Sequence, residues 1–287
     1  MRAFAVAQPE DLAEAVAMLA DEPAARLLAG GTDLIIGLRD GSIQVPVVID
    51  VKRIRELDAQ IADADGGLVI GARTAMTEIA ADPRIRARYT ALAEGAAVVG
   101  SVQIRNRATL AWNICNASPA ADTTPALLVF GATVVVRGPA GERRIPIDDV
   151  FVSSGVTTIR RDEIVTRVAL PALAGRVGST HVRRTRRRGH DLASVTIAVA
   201  LLESGETRLA YGSVGPRPLL GIDTTGVLAD PGASDTARQR ILDELFADAA
   251  PSVGSMRASP EYRLAMLRVL ALRAVDTARA RRDGAAA

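Results

Sequence analysis

The segment Ile104-Arg105-Asn106-Arg107-Ala108-Thr109-Leu110-Ala111-Trp112-Asn113-Ile114-Cys115-Asn116-Ala117-Ser118-Pro119-Ala120-Ala121-Asp122 holds the chain's only cysteine and only tryptophan. Thr109, Asn113, Asn116 and Ser118 supply neutral hydrogen-bonding groups, which suit phosphate oxygens or a flavin ring edge. Asp122 is an acceptor-only carboxylate. It suits ribose hydroxyls or an adenine amino group, and it reads equally as the N-cap of a helix starting near Pro125.

A second loop, Ala29-Gly30-Gly31-Thr32-Asp33-Leu34, joins the end of a strand to the start of a helix. The first amides of a helix lack partners and favour a negative group, so a phosphate or pyrophosphate fits there. An ordinary strand-to-helix turn uses the same residues. The two loops together read as the grip on one extended cofactor. Gly30-Gly31 lacks the spaced glycine of a dinucleotide fingerprint, and Gly95 to Ser101 has P-loop glycine spacing without the lysine.

Other reactive types have plainer readings. Cys115 has no histidine near it in sequence and reads as a small packed residue. His181 and His190 are too few for a metal site. Arg183-Arg184-Thr185-Arg186-Arg187-Arg188 lies on an expected strand, where alternate residues face opposite sides, so it reads as a subunit or cofactor contact rather than a nucleic-acid patch.

These residues sit in a chain of 287 residues, 48% hydrophobic and only 3% aromatic, with a formal net charge of +2. That length supports two domains with a core of Ala, Val, Leu and Ile. The balanced charge argues against a general nucleic-acid field. One cysteine allows no internal disulfide and no four-cysteine cluster, and it fits a cytoplasmic protein. No apolar run is long enough to span a bilayer.

Elements follow from spacing and punctuation. Leu12, Val16 and Leu19 predict a helix that Pro23 stops. Strands are expected at 26–29 and 45–51, with a short helix from Leu34 ended by Gly41. A strand pair is expected at 57–61 and 68–70, then helices through 76–100 and from Pro125 to Phe130. Further strands are expected at 133–137, 142–147, 163–170, 180–186, 194–203 and 206–214. The last helices are 234–249 and 260–282, the second amphipathic through Leu264, Leu267, Val269, Leu270 and Val275.

The pair Ala-Gly-Gly-Thr-Asp-Leu and Gln-Ile-Arg-Asn-Arg-Ala-Thr-Leu-x-x-Asn-Ile-Cys-Asn-Ala-Ser-Pro-Ala-Ala-Asp resembles the FAD-binding subunit of molybdenum hydroxylases, as in the medium subunit of carbon monoxide dehydrogenase and the flavin domain of xanthine dehydrogenase. Ile147 to Phe151 with Gly155 and Thr157, Glu163 to Val165 with Pro171, Arg187 to Val195, Gly212 to Pro218 and Ser259 to Arg263 are similar to further family segments in the same order. The resemblance covers nearly the whole chain.

It implies an α+β fold: a two-part α/β FAD-binding domain (PCMH-like) over 1–175, divided near residue 53, then a C-terminal antiparallel sheet with helices over 176–287. It implies FAD held by Leu27, Leu28, Ala29, Gly30, Gly31, Thr32, Asp33 and Leu34. Thr109, Asn113 and Asp122 would add contacts. Ile114 and Cys115 would lie near the isoalloxazine, and Val165 and Arg183 would touch the flavin ring. Molybdopterin would sit on a large partner subunit and two [2Fe–2S] clusters on a small one, with electrons leaving FAD for NAD+ or another acceptor. One departure stands out: Ala111-Trp112 replaces the usual Gly-Gly. The alternative it raises is a structural subunit of the same complex with weakened or lost FAD binding.

Overall fold

The computed structural model describes residues 2–187 and 189–284. Arg188, within the arginine run, lies outside the described residues. The first part contains β1 (Ala5–Ala7), α1 (Leu12–Asp21), β2 (Arg26–Leu28), α2 (Leu34–Asp40) and β3 (Val47–Asp50). Its three strands pair in parallel in the order β1–β3–β2. Asp11 caps α1 by accepting from the Glu14 amide at 2.8 Å, which satisfies one of the open donors of the first turn. α1 then buries Ala15, Val16 and Leu19.

The second part contains β4 (Ile61–Ala64), β5 (Gly67–Gly71), α3 (Met76–Ala81), α4 (Pro83–Arg88), α5 (Thr90–Ala97), α6 (Val102–Arg105), α7 (Leu110–Asn116), α8 (Thr124–Phe130), β6 (Thr133–Gly138) and β7 (Gly141–Pro146). A small hairpin, β8 (Phe151–Ser153) with β9 (Val156–Thr157), leads to β10 (Ile164–Leu170). β10 inserts between β5 and β6, giving an antiparallel sheet in the order β4–β5–β10–β6–β7. The helical region expected over 76–100 is three helices. Asp82 accepts from the amides of Arg84 and Ile85, so it restarts the helix just before Pro83.

The last part is an antiparallel sheet of β11 (Val177–Arg184), β12 (Val195–Leu202), β13 (Thr207–Gly212) and β14 (Leu219–Asp223), followed by α9 (Asp235–Leu245) and α10 (Pro260–Arg282). β12 is buried on both faces. Ala198 and Ala200, with Ala210 of β13, join the main core, while Val195, Ile197, Val199 and Leu201 join a second core with α9 and α10. This is the period-2 alternation of a strand with helices on both sides.

α10 differs from the expected amphipathic stripe. Its buried face is Arg263, Leu267, Ala271, Ala274, Val275 and Ala278, and Val269 is 41% exposed. The small residues let the helix sit very close to β11. A Cβ on Gly178 would lie 1.9 Å from the Ala278 carbonyl oxygen. Among the described residues, no helix is long and apolar enough to cross a membrane.

Candidate functional site

The glycine loop and the central segment meet. At Gly30 a Cβ would lie 1.9 Å from the carbonyl oxygen of Arg107, so only glycine lets the loop after β2 run against the chain entering α7. The amides of Gly30, Gly31, Thr32, Asp33 and Leu34 donate to no acceptor among the described residues. On the other side, Thr109 caps α7, its hydroxyl accepting from the Trp112 amide at 3.3 Å.

Two cavities flank this meeting point and share Ala29, Arg73 and Thr109 in their walls. One, of about 380 Å³, is lined by apolar groups including Leu27, Leu34, Trp112 and Val165, with Arg160, Arg161 and Glu163 also facing it. The other, of about 520 Å³, is bordered by Gly30, Lys52, Arg73 and Arg107 with one acid, Glu78. Both volumes lie in the range of ligand-binding clefts. Glu78 is engaged locally, accepting from the Ala75 amide at 2.7 Å at the start of α3.

Ion pairs fix several of these walls. Lys52 contacts Asp50 at 2.6 Å, and Arg73 donates to the Lys52 carbonyl at 2.6 Å. Burial pushes the Asp50 carboxyl up, but hydrogen bonds from Lys52 and Gln8 outweigh it and hold it below its ordinary value. Glu163 accepts from Arg143 through Nε at 2.9 Å and Nη2 at 2.7 Å, and from the Arg160 amide at 2.8 Å. Burial raises that carboxyl too, and the same hydrogen bonds bring it below its ordinary value.

Asp122 lies apart from both cavity linings. Its Oδ2 accepts from Arg183 Nη1 at 2.8 Å, and its Oδ1 lies 3.5 Å from the Thr196 hydroxyl and 3.6 Å from His181 Nε2. The cap position of α8 is Thr123, so Asp122 does not serve as that helix's N-cap.

Residues 2–173 match the family model for the FAD binding domain in molybdopterin dehydrogenase. The chain belongs to this family of FAD-binding subunits. Residues 180–278 match the CO dehydrogenase flavoprotein C-terminal domain. The chain is 31% identical to the xanthine dehydrogenase FAD-binding subunit of Escherichia coli O157:H7 over 278 residues, covering 95% of each. It is 31% identical to the carbon monoxide dehydrogenase medium chain of Hydrogenophaga pseudoflava, covering 95% of this chain and 96% of that one. A solved structure of the carbon monoxide dehydrogenase from that organism, which lacks the Mo-pyranopterin moiety of its molybdenum cofactor, superposes with a TM-score of 0.90 at 30% identity, covering 98% of both chains. The relatives are dehydrogenase subunits, and this flavin subunit is likewise part of an oxidoreductase.

Within this flavin subunit the expected residues fall in three places. Leu27, Ala29, Gly30, Asp33, Leu34, Thr109, Cys115 and Val165 line one or both cavities. Gly31 and Thr32 complete the open-amide loop, and Leu28 packs on the small core beside it. Asn113, Ile114, Asp122 and Arg183 do not line either cavity. Asn113 accepts from the Thr123 hydroxyl at 2.6 Å, and Ile114 is fully buried in the main core.

Cys115 is exposed and lines the apolar cavity rather than packing inside, because α7 turns Leu110, Ala111 and Ile114 to the core instead. The protein around the cavity raises the thiol above its ordinary value, so it is protonated at neutral pH. The indole of Trp112 forms a wall of the cavity and leaves its volume open, so the reading of a subunit deprived of FAD is not favoured. Lys52, Arg73, Arg160 and Arg161 carry no motif that marks them as site residues in the sequence, while Arg107 lies inside the central motif with no feature there that singles it out. The lone lysine, just after a strong strand, is the one local signal.

Proposed function

We propose that this chain is the flavin-bearing subunit of a heteromeric molybdenum hydroxylase, with FAD seated along the two cavities. The observation that carries the reading is the row of open amides from Gly30 to Leu34 at the junction between an apolar cavity and a cation-bordered one. The residues fit the cofactor. Unpaired N–H groups suit a pyrophosphate, Lys52, Arg73 and Arg107 offset its charge, and Leu27, Trp112 and Val165 offer a flat apolar wall for a ring.

FAD, when bound, supplies the redox chemistry that takes electrons from [2Fe–2S] clusters on a small partner subunit and delivers them to NAD+ or another acceptor. Molybdopterin and the substrate belong to a large partner subunit. The single cysteine of this chain agrees with that division, since it leaves no set of four cysteine ligands here.

The chain's own residues bind, orient and exclude water. The amides of the glycine loop hold the phosphates. The ion pair of Arg143 with Glu163 fixes the loop of Arg160 and Arg161 at the mouth of the apolar cavity. Asp122 and Arg183 hold one another at 2.8 Å outside both cavities, and this charge pair would act on the cleft by tying the segment before α8 to β11 of the C-terminal sheet. The same reading places a domain division near residue 175 and the protein in the cytoplasm. Purified protein should show flavin absorbance and release one equivalent of FAD on denaturation; a folded, colourless complex that takes up no added FAD would overturn the reading.

A further inference from the structure

The α2 side of the first sheet covers a small core of Leu34, Leu38, Val45 and Val48, with Phe4, Leu28, Ile35, Ile43 and Trp112 packed on it. Among the described residues, Trp112 is the one member from outside residues 1–53. Its Nε1 donates to Asp33 Oδ2 at 3.3 Å. Its own amide is tied to Thr109 at 3.3 Å. One side chain rooted in the first turn of α7 therefore touches both the small core and the glycine loop, and both Trp112 and Asp33 line the apolar cavity.

We propose that Trp112 is a positioning residue that latches the 29–34 loop to α7 and so fixes the width of the cofactor cleft. The proposal rests on the FAD reading above. An indole suits this role, because its apolar body packs into the small core while its N–H reaches the wet rim. Moving the loop away from α7 requires withdrawing the ring from that core as well as breaking the bond to Asp33. The bond is exposed and contributes the smaller share, because water replaces it easily. Withdrawal of the ring is the larger barrier, because it returns apolar surface to water. FAD leaves when the loop opens, so the latch sets its residence time.

The deciding experiment is FAD release from the full-length, FAD-loaded protein into an excess of an apoflavoprotein scavenger. Trp112→Ala is expected to release FAD about tenfold faster, the factor that corresponds to losing a partly buried ring. Trp112→Phe keeps the apolar plug and loses the donor, so it should restore most of the residence time, within roughly twofold of the parent. Thermal unfolding of the same samples separates a latch from general stability. A lowered midpoint with parental release rates in both variants would overturn the proposal.

If Trp112→Ala does not fold, the parent protein still decides the matter. Trp112 is the only tryptophan, so its emission reports the latch directly. FAD binding should quench that emission and reduce its access to acrylamide; unchanged emission and access on FAD uptake would overturn the proposal. A parent protein that takes up no FAD would instead defeat the underlying functional reading.

Discussion

Asp122 shows what one buried carboxylate holds together. Its side chain is 9% exposed and receives Arg183, itself 16% exposed, with Thr196 and His181 close by. Removing one member of such a pair strands the other away from water. Asp122→Ala should therefore destabilise the protein by about 3 kcal/mol, measured as a shift in the urea midpoint. It should also weaken FAD binding in samples that remain folded; unaltered affinity would limit Asp122 to a structural role. Glu163 carries a pH dependence of known sign. Its folded pKa lies below the ordinary 4.5, so its contribution is fully present above that value and disappears as pH falls through the lower, folded value. The difference in stability between the parent and Glu163→Gln should be constant near neutrality and should close as pH falls below the ordinary carboxylate range and through the lower, folded value. A difference that persisted in acid would show that Glu163 acts through shape rather than charge.

At the scale of elements, the glycine loop and α7 are set by steric contact. Gly30→Ala forces a Cβ into the Arg107 carbonyl. The expected cost is about 1–3 kcal/mol, together with a measurable loss of FAD affinity, because the loop must back away from α7. Much of this framework is legible in the sequence. Pro23, the Gly-rich turns and the β-branched run at 133–137 mark elements where the structure has them. The exceptions have physical reasons. β1 is Ala5-Val6-Ala7, too short and too alanine-rich to alternate visibly. Leu57 reads as part of a strand but is a core residue in the approach to β4, which begins at Ile61. α7 is hard to see because its seven residues include Trp112, Asn113 and Asn116, weak helix formers, and its start depends on the Thr109 cap. The cationic wall is illegible because Lys52, Arg73 and Arg107 come from three separate segments that only the fold assembles. The pairing of Asp122 with Arg183 crosses 61 positions for the same reason.

For the whole molecule, the main core is continuous from Ala15 in α1 to Ala210 in β13. The sheets are thus not independent bodies. Heating should give one cooperative transition, with loss of secondary structure and release of bound flavin coinciding; two separated transitions would show that the C-terminal sheet melts alone. The alanine-lined seat of α10 has a further consequence, for how the sequence can drift. A coding change of one base in an alanine codon yields Val, Thr, Ser, Pro, Gly, Asp or Glu, and only glycine among these is smaller. Ala271, Ala274 and Ala278 are fully buried where the helix meets the sheet, and Ala278 abuts Gly178. Nearly every such change there adds bulk, charge or a helix-breaking ring to a seam with no spare room. A surface that looks chemically bland is therefore among the least forgiving in the gene.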